Sequence, residues 1–113
     1  MTKLVIYKPD EQLFEVAEIE KVLSEICSAV RQSLPGSILW GECGTTPAVV
    51  VRLNETSDAI WVDDRSELGF AIVSRIVRII GRSLMLGDLQ GNAAQVEPGE
   101  CGAEIKAKLD QPA

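Results

Sequence analysis

Hydrophobic residues change rhythm along this chain, alternating at every second position in some stretches and recurring every third or fourth in others. Residues 48–54 and 59–64 are rich in β-branched side chains and flank the polar run Glu55-Thr56-Ser57-Asp58, a hairpin pattern. With those four residues as the loop, Leu53 faces Ile60 and Val51 faces Val62. Val49 joins that side, and Val50, Arg52, Trp61 and Asp63 take the other. A one-residue slip would move the whole apolar set to the wrong side, so this register is the expected one.

The same reading extends outward. Residues 3–8 predict a short strand, closed by Pro9-Asp10. Asp10 is then the N-cap of a long helix to Ser33, with Val16, Ile19, Leu23, Ile26 and Val30 as its buried stripe. Leu34-Pro35-Gly36 ends it. Residues 37–43 predict a strand, and a four-residue turn at 44–47 sets Trp40 opposite Val51 and Ile38 opposite Leu53 in the core. Leu39 and Gly41 then lie on the far face beside Arg52 and Val50, completing a three-strand meander. Asp64-Arg65-Ser66-Glu67 has the form of a capping box with Asp64 as cap. The helix that follows runs to Met85 on a stripe of Val73, Ile76, Val77, Ile80 and Leu84. Residues 87–102, thick with Gly, Asn, Gln and Pro, predict an irregular or flexible segment. Residues 103–109 alternate apolar with charged side chains and predict an edge strand, with a helix as the competing assignment.

The predicted fold class is therefore α+β, an antiparallel sheet in β-α-β-β-β-α-β order with two helices packed on one face. At 113 residues the expectation is a single domain with core enough to fold without metal or disulfide. A net charge of −6 argues against general binding to a phosphate backbone. No stretch reads as a signal peptide or membrane span. Cys27, Cys43 and Cys101 have no metal-ligand spacing, and the odd count suggests free thiols in a reducing, cytoplasmic setting.

Candidate chemistry is sparse. Without histidine there is no imidazole triad or histidine metal site, and Gly36, Gly41, Gly44 and Gly69 are too scattered for a phosphate loop. No cofactor is expected. Asp63, Asp64 and Glu67 form the densest carboxylate group, which helix capping explains better than a cation or acid/base site. Cys43 as a nucleophile would need an electropositive setting and a base; a small residue ending a strand is the simpler reading. Cys27 belongs in the core and Cys101 in solvent.

Two surfaces are left. Arg75, Arg78 and Arg82 recur along one helix face and suit an anion or acidic partner, or ion pairs with the acidic first helix. The far sheet face carries Leu39, Val50, Arg52 and Trp61, with Arg52 opposite Trp61 in cation–π geometry; either two helices on one side leave it open to a partner, or the C-terminal segment or the second helix crosses over and covers it. The expected function is a small, acidic, non-catalytic protein-interaction module of inhibitor, immunity or accessory type, binding a protein or itself as a homodimer, with neither nucleic acid nor membrane as partner. The alternative is a small-ligand-binding protein or minor enzyme with a pocket between sheet and helices, touched by Trp40, Trp61 or the arginines.

Overall fold

The computed structural model describes residues 4–28, 30–32, 37–43 and 48–110. Its elements are β1 (Leu4–Tyr7), α1 (Val16–Ile26), β2 (Val30–Gln32), β3 (Ser37–Cys43), β4 (Val49–Asn54), β5 (Ile60–Val62), α2 (Glu67–Ile80), β6 (Leu84–Asp88), β7 (Ala93–Val96) and α3 (Gly102–Asp110). The seven strands form one antiparallel sheet in the order β2-β3-β4-β5-β1-β6-β7. The class is α+β, with three helices among the described residues rather than two and a longer strand order than expected.

One side of the sheet is sealed. Leu4, Ile6, Leu39, Val51, Leu53, Ile60, Val62, Leu84 and Leu86 meet Ile19, Leu23, Phe70, Val73, Ile76, Ile105 and Leu109 in one continuous core. Each fully buried aliphatic side chain of this kind contributes about 1.5–3 kcal/mol. Within the helix layer α2 lies between α1 and α3.

The hairpin of β4 and β5 has the expected register, with Leu53 paired to Ile60, Arg52 to Trp61 and Val51 to Val62. Its loop is built by Asn54, whose Oδ1 accepts the backbone N–H groups of Asp58 and Ala59 at 3.0 and 3.1 Å. β3 differs by one residue. Cys43 pairs with Val49, Trp40 with Arg52 and Leu39 with Leu53. The connection is thus one residue longer than a four-residue turn, and the side chains of Leu39 to Cys43 change sides; an irregularity between Ser37 and Leu39 returns Ser37 to the expected partner, Asn54. Leu39 is a core residue at 1% exposure, not a far-face residue, and Trp40 takes its place outside.

The first helix is shorter than Asp10 to Ser33. Glu11 adopts φ 61°, Lys8 Nζ donates to the Leu13 carbonyl at 3.1 Å, and Phe14 N–H donates to the Ser57 carbonyl at 2.8 Å. The left-handed turn at Glu11 and these bonds keep the approach segment out of the helix, so Glu15, not Asp10, is the N-cap. At the other end Cys27 turns into extended backbone and Ser28 N–H donates to the Glu42 carbonyl at 3.2 Å. Val30 and Arg31 therefore belong to β2. The expected helix stop at 34–36 and turn at 44–47 lie outside the described residues.

Cys27 and Cys43 are joined in a disulfide, and Cys101 is free and exposed. This corrects the reading of three free thiols and removes the ground on which a reducing compartment was inferred.

The second helix ends at Ile80 because Gly81 takes the left-handed conformation (φ 80°), its N–H capping the Val77 carbonyl at 2.9 Å. Its N-cap is Ser66, two residues beyond the expected Asp64. The Asp64 carboxylate instead accepts the Ser66 N–H and hydroxyl, both at 2.7 Å. Here Gly69 passes so close to the Asp64 carbonyl that a Cβ would lie 2.0 Å from that oxygen.

The segment 87–102, expected to be irregular, completes a hairpin of β6 and β7 and the turn into α3. Asp88 organises it: Oδ1 accepts the N–H groups of Gln90 and Asn92 at 2.9 and 3.0 Å, and Oδ2 accepts Asn92 Nδ2 at 3.0 Å. Residues 103–109 are helical, not an edge strand. Ile105 and Leu109, four apart, both reach the core, and the charged residues between them face outward.

Candidate functional site

The sheet face turned away from the helices is the most distinctive surface. Side chains alternate, so the residues between the core positions of β1, β3, β4, β5 and β6 all emerge there: Val5, Tyr7, Trp40, Glu42, Val50, Arg52, Trp61 and Met85, each half-buried. None of the three helices packs on it.

Strand pairing lines these residues up across the sheet. Arg31 pairs with Trp40, Trp40 with Arg52, Arg52 with Trp61, and Trp61 with Val5. Guanidinium and indole groups alternate along this row. The Arg31 guanidinium lies 5.3 Å from the Trp40 ring centroid, and that of Arg52 lies 4.9 Å from the Trp61 ring centroid. Each such contact is worth about 0.5–1 kcal/mol at a solvent-facing site. Stacked in this way, the arginines are held flat on the sheet, and the indoles present apolar area at little entropic cost. A second row lies two residues along the strands, where Glu42 pairs with Val50 and Asp63 N–H donates to the Val50 carbonyl at 3.0 Å.

The row runs into a shallow groove. Val5, Tyr7, Pro9, Leu13 and Ala59, with the polar Lys8, Glu11, Gln12 and Asp58, line a depression of about 610 Å³ where the segment before α1 crosses the end of the sheet. Leu13 stands 59% exposed at its rim. Ring and aliphatic surface therefore continue from Trp61 through Val5 into a concavity large enough for an anchoring side chain.

Of the expected far-face residues, Val50, Arg52 and Trp61 come together here, and Leu39 does not. Trp40, Arg31, Val5, Tyr7 and Met85 were not anticipated at this surface. A signal for Trp40 was present: Glu42 has the same parity, so burying Trp40 in this strand would also bury a carboxylate. Arg31 was hidden because the helical pattern runs without interruption through residue 30.

The arginines on α2 form a looser group. Arg75 and Arg78 are exposed on the helix, but Arg82 lies beyond its end. Arg75 Nη2 reaches the Glu25 carbonyl at 3.5 Å, and Arg78 borders a groove with Glu15, Glu18, Lys21 and Glu25 between α1 and α2. The acidic helix thus lies beside the basic one.

A further polar cluster ties α3 to the rest. Arg65 Nη2 donates to Asp88 Oδ2 at 3.1 Å and to Asp110 Oδ1 at 2.6 Å, and Lys106 pairs with Asp110 at 2.8 Å. The Asp88 side chain is 1% exposed. Burial alone would raise its pKa, but hydrogen bonds from Asn92, Arg65 and Gln90 outweigh that effect and hold it below the usual carboxylate value. Lys108 does the same for Glu100, chiefly through its side-chain hydrogen bond. These pairs tie turns and helix ends together, although the buried Arg65 Nε has no hydrogen-bond partner among the described residues.

Asp63, Asp64 and Glu67 do not converge as a cation cage. Among the described residues no group of three or more Cys, Asp or Glu side chains could hold a metal ion, and no helix is long and apolar enough to cross a membrane. Cys43 is 2% exposed and disulfide-bonded, so it is not an exposed nucleophile. No protein-family model, curated protein or solved structure matches this chain significantly.

Proposed function

We propose that this chain is a non-catalytic protein-interaction module that docks through the open face of its sheet. The observation carrying this reading is the row Arg31–Trp40–Arg52–Trp61, continued by Val5 into the groove beside Tyr7. Aromatic and arginine side chains held rigidly on a regular scaffold are the types that dominate binding energy in interfaces. The face is broad and shallow, as a protein surface requires.

The test is a comparison of tagged baits in extract from the source cells. Wild type and Arg78→Ala retain a common partner, and Trp40→Ala/Trp61→Ala loses it. Identical captures by all three baits refute the reading. A second reading, binding of a small apolar ligand, is favoured by the groove itself, whose volume falls within the range of ligand sites. It predicts that an apolar fluorescent dye binds wild type and that Tyr7→Ala weakens binding severalfold without unfolding the chain.

A further inference from the structure

We propose that the Cys27–Cys43 bond is a redox switch for the open face, holding β2 in register when closed and releasing Arg31 from Trp40 when a dithiol opens it; this rests on reading that face as an interaction surface. The bond sits where it can act on one end of the Arg31–Trp40–Arg52–Trp61 row and leave the other alone. Cys27 directly follows α1, and Cys43 is the last residue of β3. The chain leaving Cys27 enters β2, so the bond fixes where β2 begins against β3. Arg31 then falls beside Trp40, with its guanidinium 5.3 Å from the ring centroid.

Little else holds β2. It is the outermost strand and, among the described residues, pairs with β3 alone, over Val30, Arg31 and Gln32. Ser28 adds two bonds to the Glu42 carbonyl, from its N–H at 3.2 Å and its hydroxyl at 3.3 Å. Val30 packs against the core only in part, and Arg31 is exposed. β2 can therefore slip or detach while the strands beyond it and the helices keep their core. A slip of one residue turns Arg31 to the opposite side of the sheet, and detachment removes it altogether. Either leaves Trp40 without its cover. A partner then meets the complete row only in the fraction of chains that keep β2 in register, and its apparent affinity falls by that fraction.

The two sulfurs suit the exchange. Cys27 is half-buried and so within reach of a thiolate, whereas Cys43 is 2% exposed. One thiolate of the dithiol attacks Cys27 Sγ, and the electron pair of the S–S bond leaves with Cys43 Sγ, which takes a proton. The second thiolate of the reductant then displaces Cys27 Sγ from the mixed disulfide. Cys27 takes a proton as the reductant closes its own disulfide, so two electrons and two protons pass to the chain. The Cys43 thiol is left in the core cluster, where it packs as a small apolar group, and the fold outlasts the reaction.

The test uses the full chain in a Cys101→Ser background with one tryptophan kept at a time. In the Trp61→Phe form, dithiothreitol raises acrylamide quenching of Trp40 about twofold or more, and in the Trp40→Phe form quenching of Trp61 does not change. Amide exchange in residues 30–32 quickens about tenfold or more on reduction, while that of the β6–β7 hairpin stays the same. A bond that dithiothreitol cannot open without denaturant overturns the switch. So does a reduced chain that circular dichroism shows to be unfolded, or reduction that changes neither tryptophan or both equally. Baits of wild type, Trp40→Ala/Trp61→Ala and the permanently open Cys27→Ala/Cys43→Ala are then compared in extract from the source cells. The open form should retain about tenfold less of the partner that wild type captures. If it retains as much, while the tryptophan variant loses the partner, redox control alone is overturned. If the tryptophan variant also retains it, the reading of the face fails, and the control of docking with it.

Discussion

Opening the Cys27–Cys43 bond tests how the outer part of the sheet is held. The bond closes a loop with a sequence separation of 16, joining the end of α1 to the end of β3 and enclosing β2. For a loop of that length, the unfolded chain gains conformational freedom on reduction worth about 3 kcal/mol at 25 °C. Unfolding entropy near 2.1 cal/mol/K per residue over 113 residues converts this into a fall in Tm of about 13 °C. The measurement is best made in a Cys101→Ser background, since the exposed Cys101 thiol can otherwise exchange with the bond. Thiol titration of the unfolded, unreduced wild type should find one reactive group, and three after reduction. Circular dichroism then compares the melts of oxidised and reduced protein. Amide exchange should quicken in residues 30–32 and 37–43 more than in the hairpin of β6 and β7, which the bond does not span. Three thiols titrating without reductant, or melts that superimpose, would refute the reasoning.

Three further outcomes follow from the packing. Leu39→Ala should cost about 2–5 kcal/mol, and Trp40→Ala no more than about 2, because only the first lies in the core. Denaturant titrations in the opposite order would restore the register with a four-residue turn. Gly69→Ala should destabilise by about 3 kcal/mol or more, since its Cβ meets a backbone carbonyl. Gly81→Ala, with φ 80° and open space around it, should cost only about 1–2 kcal/mol. Chemical denaturation that ranks the two glycines equally counts against the close approach at Asp64. Finally, Asp88 and Glu100 have pKa values lowered by folding, so their contributions are complete above the unfolded carboxylate range, about pH 4, and are lost as pH falls through the folded values. Tm of wild type should drop on acidification below that range, and that of Asp88→Asn, less stable at neutral pH, should drop less. Parallel profiles would show that Asp88 does not carry the acid sensitivity.

Much of the centre of this fold was legible because local pattern and global packing agree there. The hairpin of β4 and β5 has both alternation and a loop of the right chemistry, and α2 has an unbroken apolar stripe. The outer parts were obscured where tertiary contacts decide. Nothing local keeps residues 8–14 out of the helix; the Phe14 N–H bond to the Ser57 carbonyl in the loop after β4, with the Lys8 bond to the Leu13 carbonyl, does so. The irregular composition of 87–102 concealed a hairpin because Asp88 supplies its turn contacts from a side chain, and composition does not reveal such geometry. For residues 103–109, alternation and helical spacing coincide at Ile105 and Leu109, so pattern alone could not separate strand from helix. Within the candidate site, Arg52 and Trp61 were found through their strand register. Arg31 and Trp40 were missed, one to an apparent helix and the other to a one-residue slip.

The placement of β1 has a consequence for how the sheet is assembled. This first strand is paired on one edge with β5 and on the other with β6, and so joins the meander to the last hairpin. During synthesis it emerges before either neighbour, and its second edge finds no mate until the chain beyond α2 has been made. The early-made half is therefore held together without its later seam, and a nascent chain halted within α2 would present one unpaired edge of Leu4 to Tyr7 to whatever extended segment is near.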